Sequence, residues 1–470
     1  MTAPLPPAPD SGPPAIQREM RGLWVATVGN IDWPSRNSLT ADQQRAELTD
    51  IFDRAAATGF NAIVFQIRPS ADAVYRSALE PWASLLGGAQ GADPGYDPLE
   101  LAVQLAHARG MELHAWINPF RAGNAADSGR LAPSHVFNTN REMVRVYGAQ
   151  LWLDPGDAAV QDRVMRVVSD IVQRYDIDAI HADDYFYPYQ EKDASGHTID
   201  FPDSASYARS GSSLARDDWR RSNIDTFVAR MYRDVHALKP AMKVGLSPFG
   251  IWRPGNPLGV AGLDAYATLY ADSRKWLQHG WVDYLAPQLY WAIAAPQQSF
   301  PALLDWWLSQ NTARRHVWPG LAAYRVGAAN NPFSATEIPD QISATRARLG
   351  ATGAILYNTT VTLKRAGGAV ASAIAPLYAA RAIPPASPWL GSTPPAVPAM
   401  TVSGNTLQVS PGSALPVRWW VVRARQSNEW STRVVFGGER SVVLAPGTNR
   451  AVVNAVDQAG NVSAASTWAR

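Results

Sequence analysis

At 470 residues with a net charge of +2, from 42 Lys+Arg against 40 Asp+Glu, the chain lacks the basic excess that nucleic-acid binding requires. Charged residues are 17% and apolar residues 46%, which excludes a disordered chain, and the absence of cysteine excludes disulfides, thiolate metal ligands and a cysteine nucleophile. No apolar run is long enough to span a bilayer, whereas 18 tryptophans in a chain so poor in charge suit a groove that stacks against sugar rings.

The chain opens on MTAPLPPAPDSGPPA, a proline-rich extended leader over residues 1–17 of the kind left when an export signal or lipid anchor is trimmed. That reading expects a periplasmic or cell-envelope protein. From residue 22 to about residue 380, strand-like runs alternate with helical patterns, the signature of βα units around a parallel sheet. The expected strands are Gly22–Val28, Asn61–Ile67, Met111–Asn118, Ile177–Asp183, Lys243–Phe249, Val282–Trp291, Val317–Tyr324 and Gly353–Asn358. Between them, Leu48, Ile51, Phe52 and Ala55 share one helical face, with Gly59 as the stop. Asp97-Pro98 caps and opens a second helix that stops at Gly110, and Val160, Val164, Val167, Val168 and Ile171 stripe a third.

Eight strands, each feeding a helix, make a (β/α)8 TIM barrel over residues 18–382, whose chemistry belongs at the C-terminal strand ends. Long loops after strands three and four, residues 119–157 and 185–222, are placed to build a groove. Residues 383–399 are rich in proline and read as a stiff linker with few contacts across it. Short alternating runs over 400–470 then predict a small all-β sandwich whose ending resembles fibronectin type III-like modules.

Strand four ends in Asp183-Asp184-Tyr185-Phe186-Tyr187-Pro188-Tyr189, an apolar run closed by paired carboxylates and a cluster of aromatics. Breaking a glycosidic bond takes one carboxyl to protonate the leaving oxygen and a second as nucleophile, base or charge stabiliser, with aromatic faces to hold the rings. The blander alternative is a strand terminus running into a solvated turn. Side-chain alternation points Ala179, His181 and Asp183 into the barrel, together with His114, Trp116 and Asn118 on strand three, Val64, Gln66 and Arg68 on strand two, and Ala286, Gln288 and Tyr290 on strand six. Strands five and six offer no acid. The partner carboxylate is therefore sought in Asp184 and Asp72 first, then in Asp32 and Glu80, each of which could instead cap a helix or brace a turn.

Met20 to Ser35, Phe65-Gln66-Ile67-Arg68-Pro69, Glu80-Pro81-Trp82, His181 to Pro188, Ser247 to Arg253, Pro287-Gln288-Leu289-Tyr290-Trp291 and Gly320 to Gly327 together resemble the bacterial glycosyl-hydrolase-like family ten. The resemblance spans about residues 18–380. It implies a cell-envelope glycosidase that cleaves peptidoglycan glycan strands stripped of their stem peptides, with the family's aspartate pair falling on Asp183 and Asp184. No septal glycan-binding module is recognisable. The alternative is a catalytically silent scaffold that binds such glycan.

The expected catalytic set is thus Asp183, Asp184 and Asp72. The substrate is expected to meet Asp32, Trp33, Gln66, Arg68, Glu80, Trp116, Asn118, His181, Tyr185, Tyr187, Arg253, Gln288, Tyr290, Trp291, Tyr324 and Arg325. No metal or other cofactor is expected. Arginines recur just past strand ends, at Arg68, Arg121, Arg253 and Arg325, and a planar guanidinium suits a carboxylate. Stripped glycan exposes a lactyl carboxylate on every second sugar, so one of these, Arg68 or Arg253 foremost, is expected to read it unless local acids such as Asp72 or Asp264 claim it.

Overall fold

The computed structural model describes residues 12–470, so residues 1–11 of the expected leader lie outside the described residues. Strand one, Met20–Val25, pairs in parallel with strand two, Ala62–Arg68, and pairing continues through Glu112–Ile117, Ala179–Ala182, Lys243–Leu246 and Tyr284–Leu285. Strand seven comes in two pieces, separated by Trp318 and by Pro319, which has no N–H to give a ladder. Its first piece, His316–Val317, pairs with strand six; its second, Gly320–Ala322, pairs with strand eight, Gly353–Tyr357, which returns to strand one. The sheet thereby closes into an eight-stranded barrel.

Each strand feeds a helix: Ala41–Thr58, Pro98–Ala108, Ala158–Arg174, Arg216–Leu238, Ser273–Gln278, Phe300–Gln310, Glu337–Arg346 and Ala369–Ile374 in turn. The local reasons are those expected. Thr40 and Gln43 cap each other's backbone at the first helix, and Gly59 ends it with φ of 100°, where an added Cβ would meet the Tyr378 carbonyl oxygen at 2.7 Å. Asp97 accepts from the Leu99 and Glu100 amides ahead of Pro98. The valine stripe of the third helix is buried against the barrel.

The long loop after strand three is not structureless. It folds into a three-stranded antiparallel sheet, Arg121–Asn124, Gln150–Leu153 and Val144–Tyr147, an element the sequence reading missed.

The C-terminal region holds a three-stranded sheet and a four-stranded sheet, with Leu407, Val409, Trp420, Val422 and Val453 packed together in one apolar cluster. Alternation along Trp419–Gln426 sends Trp419 and Val421 the other way, onto Ile383. Here the expectation of few contacts across residues 383–399 fails. Arg418 donates to Asp178 and Asp176 at the foot of strand four, His107 stacks on Phe436 with ring centroids 5.0 Å apart, and Trp389 donates to Asp283. Gly110 approaches so closely that a Cβ would lie 2.5 Å from the Val434 carbonyl oxygen. The region docks on the N-terminal end of the barrel, opposite the strand ends where chemistry is expected.

Candidate active site

Inside the barrel, Trp24, Val64, Trp116, Ala179, Tyr284, Ala286, Trp318 and Ile355 form one buried cluster, so the alternation read from the sequence holds. A polar column threads it. Lys243 donates to Glu112, which meets His114 at 2.9 Å; His114 and His181 each meet the Tyr284 hydroxyl at 2.9 Å, and His181 meets Ser247 at 2.9 Å. Burial, with a smaller push from His114, holds His181 well below its ordinary value, so it stays neutral. Expected at the groove, His181 is instead a satisfied member of the interior.

Above this column stands Asp183. Trp116 donates its indole N–H to Asp183 Oδ2 at 2.9 Å, the Asn118 amide approaches the same oxygen at 3.5 Å, and the Tyr185 backbone N–H reaches Oδ1 at 3.4 Å. Burial raises the Asp183 carboxyl, the adjacent Asp184 charge raises it further, and these donors offset only part, so it titrates at about 8. Burial also raises Asp184, against the Tyr189 hydroxyl that donates to its Oδ2 and the Gln288 side chain. One of two adjoining buried carboxyls thus keeps its proton at neutral pH.

Aromatics surround the pair. Tyr185 and Tyr189 meet edge to face at 5.6 Å, Phe249 extends the row to Trp291, and Tyr290 stacks on Tyr357 at 6.1 Å beside the part-exposed Tyr324. Tyr189 belongs to the aromatic cluster read at the end of strand four, whereas Phe249 and Tyr357 were absent from the expected set; Tyr357 was within reach, since it shares parity with the inward Ile355. Next to this mouth a cavity of about 610 Å³ opens over the ends of strands one to three, lined among others by Asn30, Ser70, Asp72, Gln90 and Asn124.

Several expected substrate contacts have other tasks. Trp33 is wholly buried and donates to the Gln44 carbonyl. Asp32 braces the first loop, accepting from the Ala26 and Thr360 amides at 2.9 and 2.7 Å. Gln66 accepts from the Thr27 and Val28 amides. Arg68 and Glu80 form a fully buried two-nitrogen pair at 2.7 and 2.6 Å, so neither faces a ligand. Tyr187 is buried against Phe201 and Tyr270.

Arg253 pairs with Asp264 at 3.2 Å, and Arg325 donates to the Tyr290 and Asn331 carbonyls, over Phe333. Asp72 is not brought onto the pair. It lines the cavity wall, held by Gln90 and the Ser70 amide, and burial lifts it to about 6. Among the described residues, no group of three or more His, Cys, Asp or Glu side chains gathers as metal ligands would, and no helix is long and apolar enough to cross a membrane.

The model of the family described as glycosyl hydrolase-like 10 matches residues 19–335. Glycosyl hydrolase YngK of Bacillus subtilis is 38% identical over 411 residues, covering 83% of this chain and 79% of the relative. Glycosyl hydrolase DigH of Escherichia coli K12 is 35% identical over 348 residues, 68% of this chain and 78% of that protein. Among solved structures, the glycoside hydrolase domain of PgaB (BpsB) from Bordetella bronchiseptica aligns with a TM-score of 0.49 at 15% identity, over 77% of this chain and 98% of that one.

Proposed function

Since the chain belongs to the glycosyl hydrolase-like 10 family, we propose that it is a glycosidase of the cell envelope that cuts peptidoglycan glycan strands already stripped of stem peptides. The observation that carries the reading is the pair at the barrel mouth: Asp183, protonated near neutrality, beside Asp184, with tyrosines around both.

The pairing also bears on the mechanism. Enzymes that use two carboxylates place them on opposite sides of the scissile bond, about 5–5.5 Å apart for retention and about 6.5–9.5 Å apart for inversion. Consecutive residues on one strand end cannot flank a sugar in that way, and the carboxylate acting on Asp183 is its own neighbour. A substrate bearing a 2-acetamido group removes the need for an opposing acid, because its carbonyl oxygen can attack C1. In that scheme Asp183 gives its proton to the leaving oxygen as the C1–O bond breaks, while Asp184 orients the acetamido N–H and stabilises the positive charge on the cyclic intermediate. Water then attacks C1, losing a proton to the Asp183 carboxylate, and the acetamido group is restored with retained configuration.

Among the described residues Asp184 is the carboxylate that acts on Asp183, and a pair of adjoining acids equally suits a scaffold that binds glycan without turnover. Incubation with intact and amidase-stripped peptidoglycan, read by mass spectrometry, decides between them. Soluble oligosaccharides from stripped material support the glycosidase; binding to stripped glycan with no product would establish the scaffold.

A further inference from the structure

We propose that Arg121 is the specificity determinant of this site and grips a carboxylate carried by the bound sugar. The inference rests on the reading of the barrel mouth as a glycan site. The four arginines at or just past strand ends differ in their partners. Arg68 is spent on Glu80, Arg253 is paired through Nε alone with Asp264 and lies over Tyr266, and Arg325 donates to two backbone carbonyls. The Arg121 guanidinium has no hydrogen bond or ion pair among the described residues; it lies over the face of Tyr185, with Cζ 5.6 Å from the ring centroid.

Its position is fixed from both sides. The Arg121 backbone N–H donates to the Asn118 side chain at 3.0 Å, and across the three-stranded sheet Arg121 pairs with Trp152, whose ring lies 6.2 Å from Tyr185. The next three residues, Ala122, Gly123 and Asn124, line the cavity of about 610 Å³. The Arg121 guanidinium thus lies beside Tyr185 and near Asp183, and the segment that follows it leads on to the cavity.

A half-buried guanidinium has lost part of its hydration and, without a counter-ion, gains most from a ligand that brings one. The aspartates do not serve. Asp183 is held neutral near pH 7 and Asp184 is engaged by Tyr189, although Arg121 is close enough to lower Asp183 slightly. Five donors in a planar fork match a carboxylate, and the tyrosine face fixes the plane. A lactyl ether acid or a uronic acid would satisfy the same fork, and intact peptidoglycan would not, since its lactyl group is closed as an amide.

The test measures binding by calorimetry and cleavage by product analysis, on the full chain. Four probes are used: alternating N-acetylglucosamine and N-acetylmuramic acid oligomers, the same oligomers with the carboxyl reduced to an alcohol, N-acetylglucosamine oligomers, and oligomers alternating N-acetylglucosamine with a uronic acid. The muramic oligomer should bind about 10- to 100-fold more tightly than its reduced form, the range of a charge-assisted hydrogen-bonded pair. Arg121→Gln should erase that preference and weaken the muramic probe far more than the neutral probes, and Arg121→Lys should keep part of it. Equal weakening on charged and neutral probes, no preference in the unsubstituted protein, or no binding of any oligomer would each overturn the proposal. Preference without cleavage would sink the glycosidase reading and leave Arg121 standing. Equal affinity for the uronic and muramic probes would assign a general sugar carboxylate; muramic preference alone would assign the lactyl acid.

Discussion

Arg418 donates from Nε to Asp178 Oδ1 at 2.7 Å, joining residues 240 positions apart at the foot of the strand whose other end carries Asp183. Burial by itself would raise the Asp178 carboxyl, but the charges of Arg418 and His107 outweigh it and hold it well below the ordinary carboxylate range. The C-terminal region is in this sense part of the barrel's floor.

Arg418→Met is therefore expected to lower the stability of the whole chain by about 3–5 kcal/mol, the cost of leaving a buried carboxylate unpaired. A urea melt at pH 7 measures it; an unchanged midpoint would refute the role. Because the folded pKa of Asp178 is depressed, its stabilisation is complete above the unfolded value of about 3.9 and is lost as pH falls through the folded one. Below pH 4 the unsubstituted chain should lose stability more steeply than Arg418→Met. Truncation after Ile383 should likewise yield insoluble barrel, since it strips Asp178, Asp283 and His107 of their partners.

The pH dependence of cleavage should carry the imprint of Asp183. Its pKa is raised to about 8, and in the proposed scheme its protonated form is the proton donor, so kcat/KM on glycan should hold through neutrality and fall above pH 8. An alkaline limb centred near pH 5 would show that Asp183 is ionised in the resting protein and cannot be the acid.

Much of this architecture could be read before the structure. Gly59 and Asp97-Pro98 act within one turn of chain, so their effect is written locally, and the inward set Ala179, His181 and Asp183 follows from a period of two. Contacts between distant segments could not be read. Proline content in residues 383–399 reports local stiffness and is silent on Arg418 inserting beneath strand four. Likewise the parity of Arg68 with Gln66 suggested an inward guanidinium, but the strand pairing slips between those two residues and Arg68 turns to Glu80. What separated Arg121 from its three counterparts was the presence of partners, a property of the fold.

The two aspartates should part company when the leaving group changes. Asp183→Asn is expected to cost about 10²- to 10⁴-fold in turnover on native glycan, yet far less on aryl N-acetylglucosaminides such as the 4-nitrophenyl derivative, whose leaving oxygen needs no proton. Asp184→Asn should damage both, because orientation of the acetamido group is required whatever departs. Stopped-flow release of nitrophenol distinguishes the cases; equal losses for Asp183→Asn on both substrates would reverse or abolish the assignment.

Arg68 supplies the control for Arg121. Arg68 closes strand two and Arg121 follows strand three, but Arg68 is fully buried and donates to both Glu80 oxygens as well as to the Asn118 and Pro119 carbonyls, which fixes the loop that leads from strand three into the three-stranded sheet. Arg68→Ala leaves Glu80 charged and buried without a partner, so about 3–5 kcal/mol of stability should go with it. Any remaining folded protein should lose activity by the same factor on lactyl-bearing, reduced and plain N-acetylglucosamine oligomers, since misplaced loops do not distinguish ligand charge. Thermal melting and the three-substrate ratio test this together. If Arg68→Ala kept its melting temperature and lost activity on the lactyl-bearing oligomer alone, the buried pair would not be the anchor described, and carboxylate reading would pass from Arg121 to Arg68.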